Sequence, residues 1–277
     1  MTAAESGLLD REYGRVLAWQ VSGPLDRPAL LWLHGSTGSR RTAPVSSDAR
    51  VIAYDRPGFG ASSPHPARDL RSDVEDVCAL LDAFSISRIP VLAFSGGAAV
   101  GYALAAWAPE RIATLNLVSG AVWPSAPVPP EAALKHAGES LHADPRGAVD
   151  GMIANAPPHD RQVLQDPAIY ARLLTGAQDA VVQGAAAWVT EARVIRSDWG
   201  FSTFAVHCPV RMWHCALDDA VPFDAASDTA DALSAATLTR IPDAGHLGWM
   251  ATEGGIVAAS VADHAEIHGR RRAPRRN

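Results

Sequence analysis

Short, almost unbroken apolar runs recur along the chain at Ala29–Leu33, Arg50–Tyr54, Ile89–Phe94, Ile112–Val118, Pro209–Trp213 and Thr237–Ile241, bounded by Gly, Pro or Asp. Runs of this length without polar alternation predict strands buried on both faces, as in a parallel sheet. Between them the spacing changes. From Asp69 to Phe84, the apolar residues Leu70, Val74, Val77, Leu80, Leu81 and Phe84 fall three or four apart, which predicts a helix with one buried face. Gly97 to Trp107, small and apolar, predicts a second. Strand and helix alternating in this way is the signature of a doubly wound, mostly parallel α/β domain. Leu8–Tyr13 and Val16–Ser22, separated by Gly14, predict an antiparallel hairpin leading into the sheet, for about eight strands in all.

The alternation stops after Gly120. Trp123-Pro124 opens a Pro-rich passage through Pro130, and strand-like runs resume only near His207. Glu131–Phe204 contains helical stretches such as Ala168–Leu174 and Val181–Val194, punctuated by Pro157-Pro158 and Pro167. A segment of this length exceeds an ordinary loop and lies too deep in the alternating pattern to be a separate C-terminal domain. The expected organisation is a core of residues 1–122 and 205–277, with residues 123–204 inserted as a helical lid.

Composition narrows the functional classes. At 277 residues and 48% hydrophobic, the chain can bury one large core and carry the insertion. Its net charge of -6 includes Arg270, Arg271, Arg272, Arg275 and Arg276 in an acid-free terminal stretch, so the body is more acidic still. An acidic body argues against a nucleic-acid surface, and Gly269–Asn277 reads as a solvated tail. Cys78, Cys208 and Cys215 are an odd set without a Cys-x-x-Cys pair, which fits neither a disulfide framework nor a zinc site and suits a reducing compartment. Met1–Asp10 is polar and acidic, unlike a secretory signal, and the longest apolar stretch, Ala98–Ala108, is too short to span a bilayer. The expectation is a soluble, cytoplasmic protein with a small-molecule partner. Oligomeric state leaves no signature in the sequence.

The first candidate for chemistry is Ser95. Val91-Leu92-Ala93-Phe94-Ser95-Gly96-Gly97 places it between a predicted strand and a predicted helix, with small residues two positions away on either side. A nucleophile elbow needs this arrangement, because a sharp, strained turn lets neighbouring chain pass too close for bulky flanks. Ala93 stands where glycine is usual. Upstream, Leu33-His34-Gly35-Ser36-Thr37-Gly38 follows a strand with a glycine-bearing loop that could aim amides at a developing oxyanion; the candidate donors are the backbone N–H groups of Ser36 and Gly96. His34, beside this turn, is expected to fix the loop by hydrogen bonds.

His34-Gly35, then Tyr54-Asp55-Arg56-Pro57-Gly58-Phe59-Gly60-Ala61-Ser62, then the elbow at Ser95, together resemble the α/β-hydrolase family in motif and order, over nearly the whole chain. The resemblance implies that Asp55–Ser62 is a structural turn, tied down by Asp55 and Arg56. It also implies, with serine at the elbow, hydrolysis of an ester, thioester, amide or carbon-carbon bond rather than epoxide or haloalkane opening. A serine hydroxyl needs a base, and the base a carboxylate. Pro242-Asp243-Ala244-Gly245-His246 follows the last predicted strand and offers His246, with Gly245 giving the loop room to turn over the sheet edge. Cys215-Ala216-Leu217-Asp218-Asp219-Ala220-Val221-Pro222 resembles the family's Asp-x-x-Val-Pro ending and selects Asp218 over its rival Asp219; Asp243 is a further alternative. His207 and His214 read as structural. Trp123, Trp249 and Met250 are candidates either to line an apolar pocket or to pack the insertion. This chemistry requires no metal or organic cofactor. Other uses of the same triad stay open: cofactor-free oxygenation, cyclisation or lyase steps, acyl transfer, and ligand binding without turnover.

Overall fold

The computed structural model describes residues 5–122 and 127–271, with the side chains of the last helix described as far as Ala262. Trp123, the side chains of Arg270 and Arg271, and the terminal Arg272, Arg275 and Arg276 lie outside the described residues. Eight strands form one sheet: β1 (Glu5–Asp10), β2 (Val16–Ser22), β3 (Ala29–Leu33), β4 (Arg50–Tyr54), β5 (Ile89–Phe94), β6 (Ile112–Val118), β7 (Val210–Cys215) and β8 (Ala236–Ile241), in the order β1-β2-β4-β3-β5-β6-β7-β8. β1 pairs with β2 and β2 with β4 antiparallel; every other pairing is parallel.

The continuous apolar runs are explained by burial on both faces. Leu31, Leu33, Ile52, Tyr54, Val91, Ala93, Leu115 and Leu117 point to one side, where they meet α1 (Leu70–Ala83) and α2 (Gly97–Trp107). Their neighbours Leu30, Trp32, Val51, Ala53, Leu92 and Val118 point to the other, against Ile256, Val257 and Val261 of the last helix (Glu253–Arg271). A period of two along each strand thus feeds two cores at once. α1 begins where the sequence can satisfy its first amides: Asp69 accepts from Ser72 N–H at 2.8 Å, and Ser72 Oγ returns the bond to the Asp69 amide.

Two expectations are corrected. The first hairpin strand runs Glu5–Asp10 rather than Leu8–Tyr13, because Glu12–Gly14 form a tight turn in which Tyr13 takes φ 58° and points into solvent. Arg11 and Arg15 flank that turn and both bind Asp76 of α1. The second correction lies in the segment between β6 and β7, which folds as α3 (Glu131–Ala143), α4 (Pro145–Asn155), α5 (Pro158–Val163), α6 (Pro167–Val181) and α7 (Ala186–Val194). The expected single helix Val181–Val194 is broken after Val181, where Gly184 at φ 96° reverses the chain between α6 and α7.

β3 fixes where a site can form. Its chain leaves toward β4 on one side, and the next crossover places β5 on the other, so a crevice opens at the carboxyl ends of β3 and β5.

Candidate active site

Ser95 stands at the carboxyl end of β5 with φ 50°, a left-handed conformation that costs a non-glycine residue of order 1–3 kcal/mol. Three backbone hydrogen bonds hold it there: Ser95 N–H to Val118 O, Ala98 N–H to Ser95 O, and Ala121 N–H to Ser95 O, at 3.0–3.1 Å. Helix α2 starts directly afterwards and presses on the end of β3. A Cβ on Gly97 would lie 2.5 Å from Leu33 O and 2.6 Å from His34 O, so only glycine fits. The loop after β3 meets the elbow: a Cβ on Gly35 would lie 3.3 Å from Ser95 Cβ, and Ser36 Oγ occupies the space a side chain at Gly96 would need. The backbones of Ser36 and Gly96 therefore adjoin, beside Ser95.

The loop after β8 completes the cluster. His246 Nε2 is 3.0 Å from Ser95 Oγ, and its Nδ1 is 2.8 Å from Asp218 Oδ2 and 3.0 Å from Oδ1. Asp218 also accepts from the amides of Ala220 and Val221 at 3.0 and 2.8 Å. Burial opposes its ionisation, but the hydrogen bond and charge of His246, with the Val221 amide, outweigh that and hold the carboxyl below its ordinary value. Asp219 and Asp243 are exposed. His214, buried and kept neutral chiefly by desolvation, donates Nε2–H to Val221 O at 2.7 Å and so braces the same turn.

A family model described as the alpha/beta hydrolase fold matches residues 28–250. The chain belongs to that family. Over 264 residues it is 27% identical to a Variovorax paradoxus (strain S110) protein provisionally named carbamate hydrolase RutD, covering 89% of this chain and 95% of that one. It is 35% identical over 114 residues to the dihydrolipoyllysine-residue acetyltransferase component of an acetoin cleaving system from Pseudomonas putida; there the match spans 39% of this chain but 31% of the relative, about a third of its length. A hydrolase structure from Pseudomonas aeruginosa PA01 superposes with TM-score 0.73 at 22% identity, covering 93% of this chain and 98% of that one.

In this α/β hydrolase, His34 and Arg56 brace the loop after β3. His34 Nδ1–H donates to Gly35 O at 2.7 Å while Nε2 accepts from the Arg56 amide at 3.2 Å. Burial and the Arg56 charge hold the ring well below its ordinary pKa, hence neutral, as that pattern requires. The Arg56 guanidinium donates to the carbonyls of His34 and Gly35 and pairs with Glu191 Oε1 at 2.6 Å. Asp55 secures its own turn through the amides of Arg40 and Ala61.

Glu191, in α7 and fully buried, was not legible as a site neighbour. It also takes Arg68 at 2.6 Å and the hydroxyl of Ser36 at 3.2 Å, so one carboxylate of the insertion reaches two buried arginines and the loop beside Ser95. Burial works against its charge, yet Arg56 and Arg68 prevail and lower its pKa to about 2. In sequence it is one acid in an amphipathic helix, 135 residues from Arg56, and reads like any solvated position.

A cavity of about 90 Å³ opens beside Ser95 and His246, lined by Trp32, Phe94, Leu173, Trp249 and Met250 together with Met152 from α4. Trp249 and Met250, which the sequence left open between lining a pocket and packing the insertion, both border this cavity. Trp249 packs on Phe94 at 5.2 Å between ring centroids, and Phe94 on His246 at the same distance. Arg172 of α6 reaches the rim but is held in a two-pronged pair with Glu253 at 2.7 and 2.8 Å. Among the described residues, no helix is long and apolar enough to cross a membrane.

Proposed function

We propose that this protein is a serine hydrolase that cleaves small ester, thioester, amide or related acyl bonds. The observation that carries the reading is the continuous chain Asp218–His246–Ser95, with hydrogen-bond spacings of 2.8 and 3.0 Å between residues 28 and 151 positions apart. Ser95 Oγ attacks the acyl carbonyl as His246 Nε2 takes its proton. Asp218 holds the imidazole with Nδ1–H toward itself and stabilises the imidazolium. The oxyanion that forms is received by the amides of Ser36 and Gly96. His246 then returns the proton to the leaving group, the acyl-enzyme forms, and a water activated by His246 releases the acid.

The apolar, aromatic wall and small cavity suit a short or compact acyl group, with helices 131–194 acting as the lid that closes over it. The likeness to a protein named for carbamate hydrolysis is in keeping with a small substrate. Three free cysteines, Cys78, Cys208 and Cys215, support a reducing, cytoplasmic setting. Transfer of the acyl group to another acceptor is the second reading, favoured by the likeness to a protein named an acetyltransferase component; added thiols or alcohols would then discharge the acyl-enzyme faster than water.

A fluorophosphonate probe tests the reading. Wild type is expected to label at one site and to turn over short-chain p-nitrophenyl esters, and Ser95→Ala to lose about a millionfold in turnover. Equal labelling of wild type and Ser95→Ala would sink the assignment.

A further inference from the structure

Asp160 is the acid of the short helix α5 and is 1% exposed. Its carboxylate does not serve its own helix. Oδ1 accepts from the Gly245 amide at 2.7 Å and Oδ2 from the Leu247 amide at 3.0 Å, the two N–H groups on either side of His246. The insertion presses closely here. A Cβ on Gly245 would lie 2.7 Å from Pro157 Cδ, and one on Gly248 would lie 2.5 Å from Asp160 Oδ1 and 3.0 Å from His159 Cδ2. Arg161, next in sequence, donates to Ala156 O instead. Among the described residues no cationic side chain pairs with Asp160, so the amides of the His246 loop are what satisfies this buried charge.

Such charge-assisted bonds are about twice as strong as neutral ones, and two of them on alternate amides fix a short loop in both position and twist. His246 needs that support. Asp218 orients the ring from one end, but Nε2 can stay 3.0 Å from Ser95 Oγ only if the backbone carrying the ring is itself held. Leu217 N–H from the loop after β7 reaches Ala244 O at 2.8 Å, and Gly248 N–H closes on Gly245 O at 3.1 Å, but neither bond engages the amides on either side of His246. We propose that Asp160 is a positioning residue for the base: the insertion, through this carboxylate, sets the place of His246, so that seating the insertion and aligning the base are one event. The proposal rests on the serine-hydrolase reading above.

The experiment uses the full chain and two readings. One is the rate of fluorophosphonate labelling; the other is the downfield proton resonance of His246 Nδ1–H, assigned by its loss in His246→Gln. Asp160→Asn keeps the shape but sets an amide against an amide. It is expected to label about a hundredfold more slowly, as a base displaced by about 1 Å would, and to lose the resonance to exchange while still melting cooperatively. Gln183→Ala cuts a different link between insertion and core, the bonds to Gly60 O and Ser62 O, and is expected to match wild type in both readings. Should Asp160→Asn not fold, Asp160→Glu decides, since it keeps the charge but lengthens the side chain that meets the two amides; the same two losses are expected. Wild-type labelling and an intact resonance in either folded Asp160 variant overturn the proposal, as does an equal loss in Gln183→Ala. Absence of labelling in wild type overturns the hydrolase reading instead, and the resonance still reports whether Asp160 places His246.

Discussion

The sheet and the helices inserted after β6 are held by different forces. Each strand of the sheet's centre buries both faces, and its neighbours are fixed by ladders of backbone bonds and by apolar area, which is non-directional and forgiving of small changes. The insertion has smaller apolar clusters, Leu141, Val149, Ala177 and Val181 in one and Leu134, Val189 and Ala192 in another. Val194, Ile195 and Trp199 join the core beneath the sheet, and the rest of its attachment is largely polar, led by buried carboxylates. Asp160 holds the loop after β8, Glu191 the loop after β3 with Arg56 and Arg68, and Asp179 the hydroxyl of Ser39 and the guanidinium of Arg41. Hydrogen bonds of this kind have strict geometry, so they dock the insertion in one register. The cost is sensitivity, because removing one partner strands the other.

After the loss of Ser95 itself, the largest effect is expected where neither region can compensate. Asp218→Asn should lower turnover about 10,000-fold while Asp219→Asn changes it little; steady-state kinetics on the two proteins checks the pair, and the reverse pattern would move the acid to Asp219. Next comes Glu191→Gln, which removes the carboxylate paired with Arg56 and leaves Arg68 with Asp73. A destabilisation of about 3–5 kcal/mol is expected by urea unfolding, with slower labelling of Ser95 in the fraction that stays folded. Leu117→Ala in the sheet should cost a comparable amount, about 2–5 kcal/mol for a buried leucine, yet leave the labelling rate of folded protein unchanged. That divergence at similar stability is the sharpest test of the contrast between the regions.

Acid should separate them further. Glu191 has a folded pKa lowered to about 2 from 4.5, so its stabilisation is complete above the unfolded value and is lost as pH falls through that window. Asp73, whose carboxyl burial pushes up despite Arg68, acts in the opposite sense. The difference between wild type and Glu191→Gln isolates the Glu191 contribution: it should shrink steadily from about pH 4.5 downward, as followed by thermal melts. A difference independent of pH would assign Glu191 a packing role alone. The smallest effect is expected at the surface, where Glu131→Gln breaks the exposed pair with Lys135 and should shift stability by less than about 1 kcal/mol in the same unfolding assay.

Much of the fold was legible because its code is local. β3 to β6 appear at the residues where unbroken apolar runs end at Gly, Pro or Asp, and α1 and α2 where spacing changes to three and four. The sharp turn at Ser95 was legible from its small flanks, although the demand for glycine at position 97 comes from the carbonyls of Leu33 and His34, which the end of β3 brings against it. The hairpin was misjudged at its first strand because Leu8 and Leu9 carry a weak alternation on an edge exposed to solvent, where Arg11 and Arg15 binding Asp76 decide the turn. The helix expected over Val181–Val194 looked continuous because its apolar spacing survives across Gly184, and only the return of α7 against the core reveals the break.

What the sequence by itself determined is therefore everything that depends on neighbours along the chain: the alternation of strand and helix, the strained serine turn, the glycine-bearing loop after β3, and the Asp-x-x-Val-Pro and Gly-His segments after the last strands. Only the tertiary structure decided which charges meet. Nothing local distinguishes Asp160 or Glu191 from an acid on a wet helix face, because a carboxylate acquires its role from the amides and arginines brought to it by segments 85 and 135 residues away. Burial then turns that meeting into a constraint, since a charge withdrawn from water must keep every partner it has found.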